Sequence, residues 1–422
     1  MNKALSSERQ LRIALLGYRS HPHVGGQGIY LHYLSKALVA LGHQVCVFSG
    51  PPYPELVAGV ELVKIPGLDL YSKEKPLRSI GMKNLLNRFD RREWLSKLSG
   101  GFAEPELFCA RLLDQYTQRL AQFDIIHDNQ SLGFALLNLL NGPAKLIVTI
   151  HHPIHRDLHF ALSEAKDWFH RLLLKRWYRF LSMQEKVAER LPHIITVSQQ
   201  SRADIIKHFP VDEKNIEIIA NGIDTQRFKP LDVKKNPFRI ITTASSDQTL
   251  KGLHTLLDAV AITRKSLPDI QLRVIGKLKH NSLAHKRLHE LKLSESVNFK
   301  SGISTEELVH EYNQASLAVC PSLYEGFGIP ALEAMACGLP LISSDGGALP
   351  EVVGDAALIF NAGDEQELAR MILNVLTNKP LATDLSKRAL DRVQQSYDWL
   401  GIGRAYTTFY QHCLAQDAYI EP

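Results

Sequence analysis

The chain has 422 residues, enough for two or three domains that each bury a core, which excludes a single small module. Hydrophobic residues at 45%, charged residues at 22%, 26 Gly and 20 Pro are ordinary globular values and exclude collagen-like and disordered chains. Basic side chains number 49 against 44 acidic ones, and a net charge of +5 gives no ground for a nucleic-acid partner. Five cysteines (Cys46, Cys109, Cys320, Cys337 and Cys413) never form a Cys-x-x-Cys pair, so neither a disulfide framework nor a zinc site follows, and a reducing cytosol is expected. The start, MNKALSSERQLRIALLGY, lacks the apolar core of a signal peptide, and no run approaches the ~18 apolar residues of a membrane span. The expected location is cytoplasmic, at most peripheral at the inner membrane surface.

In chain order, Leu11–Leu16 reads as a strand, Ile29–Leu41 as a helix and Val45–Phe48 as a strand, a βαβ opening. Residues 66–120 are less regular and end in an amphipathic stretch, Leu107–Leu120. Asp124–Ile126 and Leu146–Ile150 are further strands, and with helices between them a parallel doubly wound sheet is the economical solution. Asn221-Gly222-Ile223-Asp224, with Pro230 and Pro237 beyond, marks a linker. A second series then reads Arg239–Thr242, Gln271–Ile275, Val297–Phe299, Leu317–Cys320, Leu339–Ser343 and Ala357–Phe360, with helical periodicity between each pair. The expected fold class is α/β with two Rossmann-like, doubly wound parallel-sheet domains, residues 1–220 and 221–397, the first completed by a terminal amphipathic helix within 398–422.

Open parallel sheets bind ligands beyond the carboxyl ends of their strands, so the loop after each strand is the place to look. After the first strand, His23-Val24-Gly25-Gly26-Gln27-Gly28 leads into a helix; its amides and the positive helix end suit a phosphate or a sugar oxygen, and equally a plain glycine turn. After Leu146–Ile150 come His151, His152, His155 and His159. The last two are four apart, a spacing open to a metal pair, while a polar strand-end histidine and a structural role are the other readings. In the second half, Ser245 to Gly252 puts Lys251 beside a helix N-terminus, a pairing that suits a diphosphate. Later, Glu325 lies in the loop Ser322-Leu323-Tyr324-Glu325-Gly326-Phe327-Gly328 and Glu333 one turn inside the next helix. A carboxylate there accepts the paired hydroxyls of a ribose or hexose, or simply stabilises the helix N-terminus.

Taken together, EGFGIPALEAMACGLPLISSDGGALPEVV, NGIDTQRFKP, TLKGLHTLLDA, GGQGIYLHYLSKALVALGHQV and ITVSQQSRADI resemble the retaining nucleotide-sugar glycosyltransferases of family 4. The resemblance covers roughly residues 10–50 and 124–412 and implies a GT-B fold, two Rossmann-like domains facing across a cleft. It further implies a hexose donor linked to UDP or GDP and a hydroxyl acceptor: a glycan, a lipid-linked acceptor or a small molecule. By motif, Glu325 resembles the carboxylate that holds the donor sugar, with the amides of Gly326, Phe327 and Gly328 near sugar and diphosphate. Glu333 resembles the ribose ligand, Lys251 the diphosphate clamp, Gly25 and Gly26 the N-terminal glycine turn, and His151 the histidine beside the transferred sugar. Ser246 stands at the donor position where the family usually has arginine, and Lys277 is a candidate replacement cation. Asn129 likewise replaces a common family histidine. Preorganised charge at the diphosphate makes a metal or other cofactor unnecessary, so none is expected. A nucleotide-sugar epimerase and a non-catalytic partner with the same fold are the alternatives.

From Lys166 to Arg190 the chain carries Arg171, Lys175 and Arg179 four apart, with Lys186 and Arg190 beyond and Trp168, Phe169, Leu172, Leu173, Trp177 and Phe180 among them. An interfacial helix on an anionic membrane and a helix packed on the core with a basic outer face both fit this pattern.

Overall fold

The computed structural model describes residues 9–22, 26–70, 80–163, 165–244, 249–280 and 282–417. The chain divides into two compact units: Met1–Val197, Ser201–Ile219 and Ile402–Pro422 form the first, Ser198–Gln200 and Ala220–Gly401 the second.

The first unit is a seven-stranded sheet built from β1 (Arg12–Gly17), β2 (Gln44–Ser49), β3 (Val60–Lys64), β4 (Ile125–Asn129), β5 (Lys145–Thr149), β6 (Ile194–Thr196) and β7 (Ile216–Ile218). They lie in the order β3-β2-β1-β4-β5-β6-β7 with every pairing parallel. Apolar runs such as the IALLG of β1 are buried throughout because crossover helices cover both faces. The second unit repeats the plan with β8 (Arg239–Thr243), β9 (Gln271–Ile275), β10 (Val297–Lys300), β11 (Leu317–Cys320), β12 (Leu341–Ser344) and β13 (Leu358–Phe360), ordered β10-β9-β8-β11-β12-β13. Both units are Rossmann-like, as the alternation of strands and helices predicts.

The expected strands and helices are all present, with ends shifted by up to three residues. Three strands escape the sequence reading: β3, β6 and β7. Two have only three residues, and in the third, VELVK, Glu61 and Lys64 interrupt the apolar residues, so none makes an apolar run. The segment 166–190 is broken rather than continuous: helices Trp168–Trp177 and Leu181–Ala188 flank a 3₁₀ turn at Tyr178–Phe180, so the basic residues do not form one stripe.

In each sheet the chain reverses its direction of travel beside the first strand, between β1 and β4 and between β8 and β11. Such reversals are where open parallel sheets bind ligands. His151 follows β5 in the first unit, while Lys251 and Glu325 follow β8 and β11 in the second.

Candidate functional site

In the second unit, the loop after β8 passes through a 3₁₀ turn, Thr249–Lys251, into the helix Leu253–Arg264. Gly252, at the junction, has φ +64°, and a Cβ there would sit 1.8 Å from the carbonyl oxygen of Pro321. Only glycine permits that approach, which lays the loop after β8 directly on the loop after β11. The two are zipped together: Leu323 N donates to the Leu250 carbonyl at 2.8 Å, and Lys251 Nζ forms an ion pair with Glu325 Oε1. Ser322 Oγ donates to the same carboxylate oxygen at 3.0 Å.

The loop after β12 buttresses this carboxylate. Ala348 N donates to the Glu325 carbonyl at 2.9 Å, and a Cβ on Gly347, whose φ is +68°, would lie 2.3 Å from that carbonyl oxygen. Gly346 and Gly347 thus fix where Glu325 stands, a role that the sequence reading missed although both residues lie inside a quoted motif. Gly328, at φ +107°, turns the chain into the helix Ile329–Ala336, where Pro330 has no N–H and Ala331 N already donates to the Gly328 carbonyl at 3.0 Å. The Phe327 side chain is buried edge-on against Tyr397, so only its backbone is available to a ligand.

Glu333 lies one turn into that helix and accepts a 2.9 Å hydrogen bond from the buried Tyr312 hydroxyl, which Thr243 Oγ1 also meets at 3.0 Å. Desolvation pushes the Glu333 carboxyl up to about 7, with the Tyr312 hydroxyl opposing the shift. Tyr312 is a third residue that sequence reading missed, because its partner lies 21 positions away on a different helix. Lys277, just beyond β9, is exposed. Ser246 and Gly25 lie outside the described residues.

In the first unit, His151 follows β5 and is half-buried. Its Nε2 meets Asn129 Oδ1 at 2.7 Å, and Asn129 Nδ2 donates to the Gln27 carbonyl at 3.3 Å. That orientation of the amide puts the imidazole proton on Nε2 and leaves Nδ1 as an acceptor. Burial, with His152 adding to it, lowers the His151 imidazole to about 3, so the ring is neutral at physiological pH. Gln130 clamps the neighbouring backbone, its Oε1 accepting from His151 N and its Nε2 donating to the His152 carbonyl, both at 2.8 Å.

No glycine shapes the turn that carries Gln130. Gln130 and Leu132 have φ of 55° and 52°, sparsely populated for such side chains, and Asp128 holds them there by accepting from the amides of Ser131 and Leu132 at 2.9 and 3.1 Å. Behind His151 stands a buried hydroxyl network. The Tyr30 ring packs edge-on at 4.8 Å from the imidazole, and its hydroxyl reaches Tyr406 at 2.8 Å and Thr149 at 3.1 Å. His127 meets Thr149 and Tyr410, each at 2.7 Å. Tyr406 and Tyr410 come from the terminal helix Trp399–Asp417, so its docking on this sheet is polar as well as apolar.

Gly26 opens the helix Gly26–Ala40 with open space where its Cβ would be, whereas a Cβ on Gly28 would meet the His21 carbonyl at 2.2 Å. Steric need therefore falls on Gly28. His155 and His159 share the helix His155–Ser163, where His155 Nε2 is taken by Glu185 at 2.7 Å and its ring stacks on His208. Among the described residues no group of three or more His, Cys, Asp or Glu is arranged to hold a metal ion.

Two Rossmann-like parallel-sheet domains, with a lysine–glutamate pair at the switch point of the second, are the architecture of the GT-B glycosyltransferases. Residues 24–227 match Glycosyltransferase Family 4, and residues 223–392 match Glycosyl transferases group 1. MMP alpha-(1->4)-mannosyltransferase of Mycolicibacterium hassiacum is 39% identical over 412 residues, 97% of this chain and 100% of that protein. The O-antigen chain mannosyltransferase RfbU of Salmonella typhimurium is 29% identical over 56% of this chain and 65% of its own. Among solved structures, sucrose-phosphate synthase from Thermosynechococcus elongatus superposes with a TM-score of 0.69 at 23% identity, covering 97% of this chain and 100% of that one. Anabaena HepE, solved in complex with UDP and glucose, gives 0.68 at 17% identity over 96% and 100% of the two chains. The chain belongs to the family 4, group 1 glycosyltransferases and is a glycosyltransferase.

Proposed function

We propose that this enzyme transfers a hexosyl group, mannose in the first instance, from a UDP- or GDP-linked donor to a hydroxyl acceptor with retention at the anomeric carbon. The observation that carries the reading is the Lys251–Glu325 pair, set by glycine turns where the loops after β8 and β11 meet. An ammonium has three donors; with one on Glu325, two remain for diphosphate oxygens, and the N-terminus of the helix Ile329–Ala336 adds partial positive charge. Glu325 accepts from sugar hydroxyls, and Glu333, held by Tyr312, accepts from the ribose. His151, neutral and with Nδ1 free to accept, serves the transferred sugar by hydrogen bonding rather than by proton donation.

In this mechanism the bond from the anomeric carbon to the diphosphate oxygen breaks first, leaving an oxocarbenium-like sugar. The acceptor oxygen then bonds the same face of that carbon, and its proton passes to the departing phosphate oxygen. No protein nucleophile is required, and the protein's share is positioning and charge stabilisation. Mannose is supported by the two mannosyltransferase relatives, which also weigh against the epimerase and non-catalytic alternatives. The test is a screen of UDP- and GDP-hexoses for donor hydrolysis and for thermal stabilisation, followed by product anomeric configuration by NMR. GDP- or UDP-mannose turnover with an axial product linkage is the expected result; an inverted product, or no sugar nucleotide that stabilises the protein, overturns the proposal.

A further inference from the structure

The segment 166–190 resolves its own ambiguity by dividing its apolar residues. Trp177 stacks on Phe102 with ring centroids 5.2 Å apart, and Phe180 meets Phe102 edge-on at 5.3 Å, so these two belong to the packed body. Trp168, Phe169 and Leu172 do not: they are 75%, 55% and 55% exposed on one helix, with Leu173 beside them and Leu95 and Leu98 exposed on the helix Arg88–Leu98. The two helices are joined where Arg176 donates to Ser99 Oγ at 2.8 Å and Lys97 lies over the Trp177 ring. Exposed apolar side chains scattered singly need no explanation, but a cluster of this size on adjoining helices does.

Charge identifies the partner. A cavity of about 530 Å³ opens beside the cluster, with Arg92, Arg176, Arg179 and Lys186 around a mixed lining of Glu106, serines and apolar residues that include Phe102 and Phe134. Arg92 is paired with Glu106 at 3.2 Å; Arg176, Arg179 and Lys186, like Arg171 and Lys175 on the helix above, meet no carboxylate among the described residues. A second copy of this chain seated symmetrically here would set these cations against each other, and a polyanion such as RNA would leave the leucines in water. An anionic bilayer satisfies both: its acyl region takes Trp168, Phe169 and Leu172, and its phosphates take the guanidinium and ammonium groups. We propose that this face, the helix Trp168–Trp177 with the cation-rimmed cavity beside it, docks the enzyme on a membrane surface rich in anionic phospholipid. The proposal does not depend on the donor or the sugar.

The experiment is flotation of the full chain with vesicles of phosphatidylcholine alone and with phosphatidylglycerol in equal parts. Binding is expected only to the anionic vesicles, with loss at high salt. Arg176→Gln/Arg179→Gln/Lys186→Gln should weaken it by about a hundredfold, at roughly fivefold for each cation removed from an anionic surface. Trp168→Ala/Phe169→Ala/Leu172→Ala changes only exposed side chains, so folding is retained and binding should also fall by tenfold or more. A blue shift of tryptophan emission on vesicle binding should disappear in Trp168→Phe. No binding to anionic vesicles at low salt overturns the proposal, as does binding that both multiple variants leave unchanged. Self-association or RNA binding that these variants abolish while vesicle binding is absent overturns it in favour of those partners. Donor hydrolysis, which the vesicle variants should leave intact, separates failure here from failure of the donor reading.

Discussion

The loops at the strand ends of the two units are held by opposite means. In the second unit glycine does the shaping: Gly252, Gly328 and Gly347 adopt positive φ, and at Gly252 and Gly347 backbones approach so closely that no Cβ fits, leaving a charged pair, Lys251 and Glu325, on the turn. In the first unit side chains do it: Asp128 holds Gln130 and Leu132 in the left-handed region, and Gln130 and Asn129 fix a neutral imidazole through amide hydrogen bonds. A glycine-shaped turn suits a site that stabilises charge, since bare amides and one mobile ammonium can close on phosphates. An amide-clamped imidazole suits a site that must orient a neutral group without changing its protonation. The comparison predicts that charge removal is the more damaging insult in the second unit and geometric slackening in the first.

The largest effect is expected from Lys251→Ala. Its partly exposed ion pair contributes little to folding, so thermal stability should be nearly unchanged while kcat falls by about 10²–10³, the usual cost of losing one preorganised donor at developing negative charge. Wild-type kcat in this variant would remove the diphosphate clamp from the mechanism.

Two backbone substitutions break the comparison directly. Gly347→Ala forces a Cβ onto the Glu325 carbonyl and should cost about 1–3 kcal/mol of stability together with most of the activity. Gln130→Gly relieves an unfavourable φ yet deletes both clamps on the His151 segment, so kcat should drop by about tenfold with stability roughly held. Equal losses of stability in the two, read by calorimetry, would erase the distinction between glycine-built and side-chain-built turns.

These same positions explain what was legible in the sequence. Glycine motifs announce themselves, so Lys251, Glu325 and Glu333 stand out in the sequence as candidates, and the two Rossmann-like sheets follow from apolar runs at regular spacing. Long-range side-chain pairs carry no such signal: Tyr312 on Glu333, Gln130 on the backbone of His151 and His152, and Tyr30 with Tyr406 behind the imidazole come together only through the sheet order. Strands β6 and β7 were invisible because three residues cannot show a period.

Titration separates the units again. The Glu333 carboxyl lies near 7, and in the proposed role it accepts from a ribose in its ionised form, so KM for the donor should fall as pH rises from 6 to 8. The His151 ring, lowered to about 3, stays neutral over that whole range, and kcat should show no inflection near the ordinary histidine value of about 6.5. Glu333→Gln should flatten the KM profile and weaken nucleotide and nucleotide-sugar alike, whereas Glu325→Gln should spare the bare nucleotide. A kcat inflection near 6.5 that disappears in His151→Asn would make the histidine a proton donor instead. Full activity in excess EDTA is expected alongside; activity lost to chelator and restored by one divalent ion would place a metal at the diphosphate.

The smallest predicted effect tests whether Tyr312 serves the site or only the core. Its hydroxyl donates to Glu333 and so holds that carboxyl below where burial alone would put it. Tyr312→Phe keeps the ring in its buried place and removes only the donor, which should cost about 0.5–1.5 kcal/mol of stability. A purely structural tyrosine would do no more than that. A tyrosine that tunes the ribose ligand must also shift the KM profile: without its hydrogen bond the Glu333 carboxyl moves further up, so the pH at which KM improves moves up with it. KM should therefore rise a few-fold at pH 7 and coincide with wild type once the pH is high enough to ionise Glu333 in both. A stability loss with an unmoved KM profile would assign Tyr312 to the core alone and leave Glu333 to hold the ribose without help.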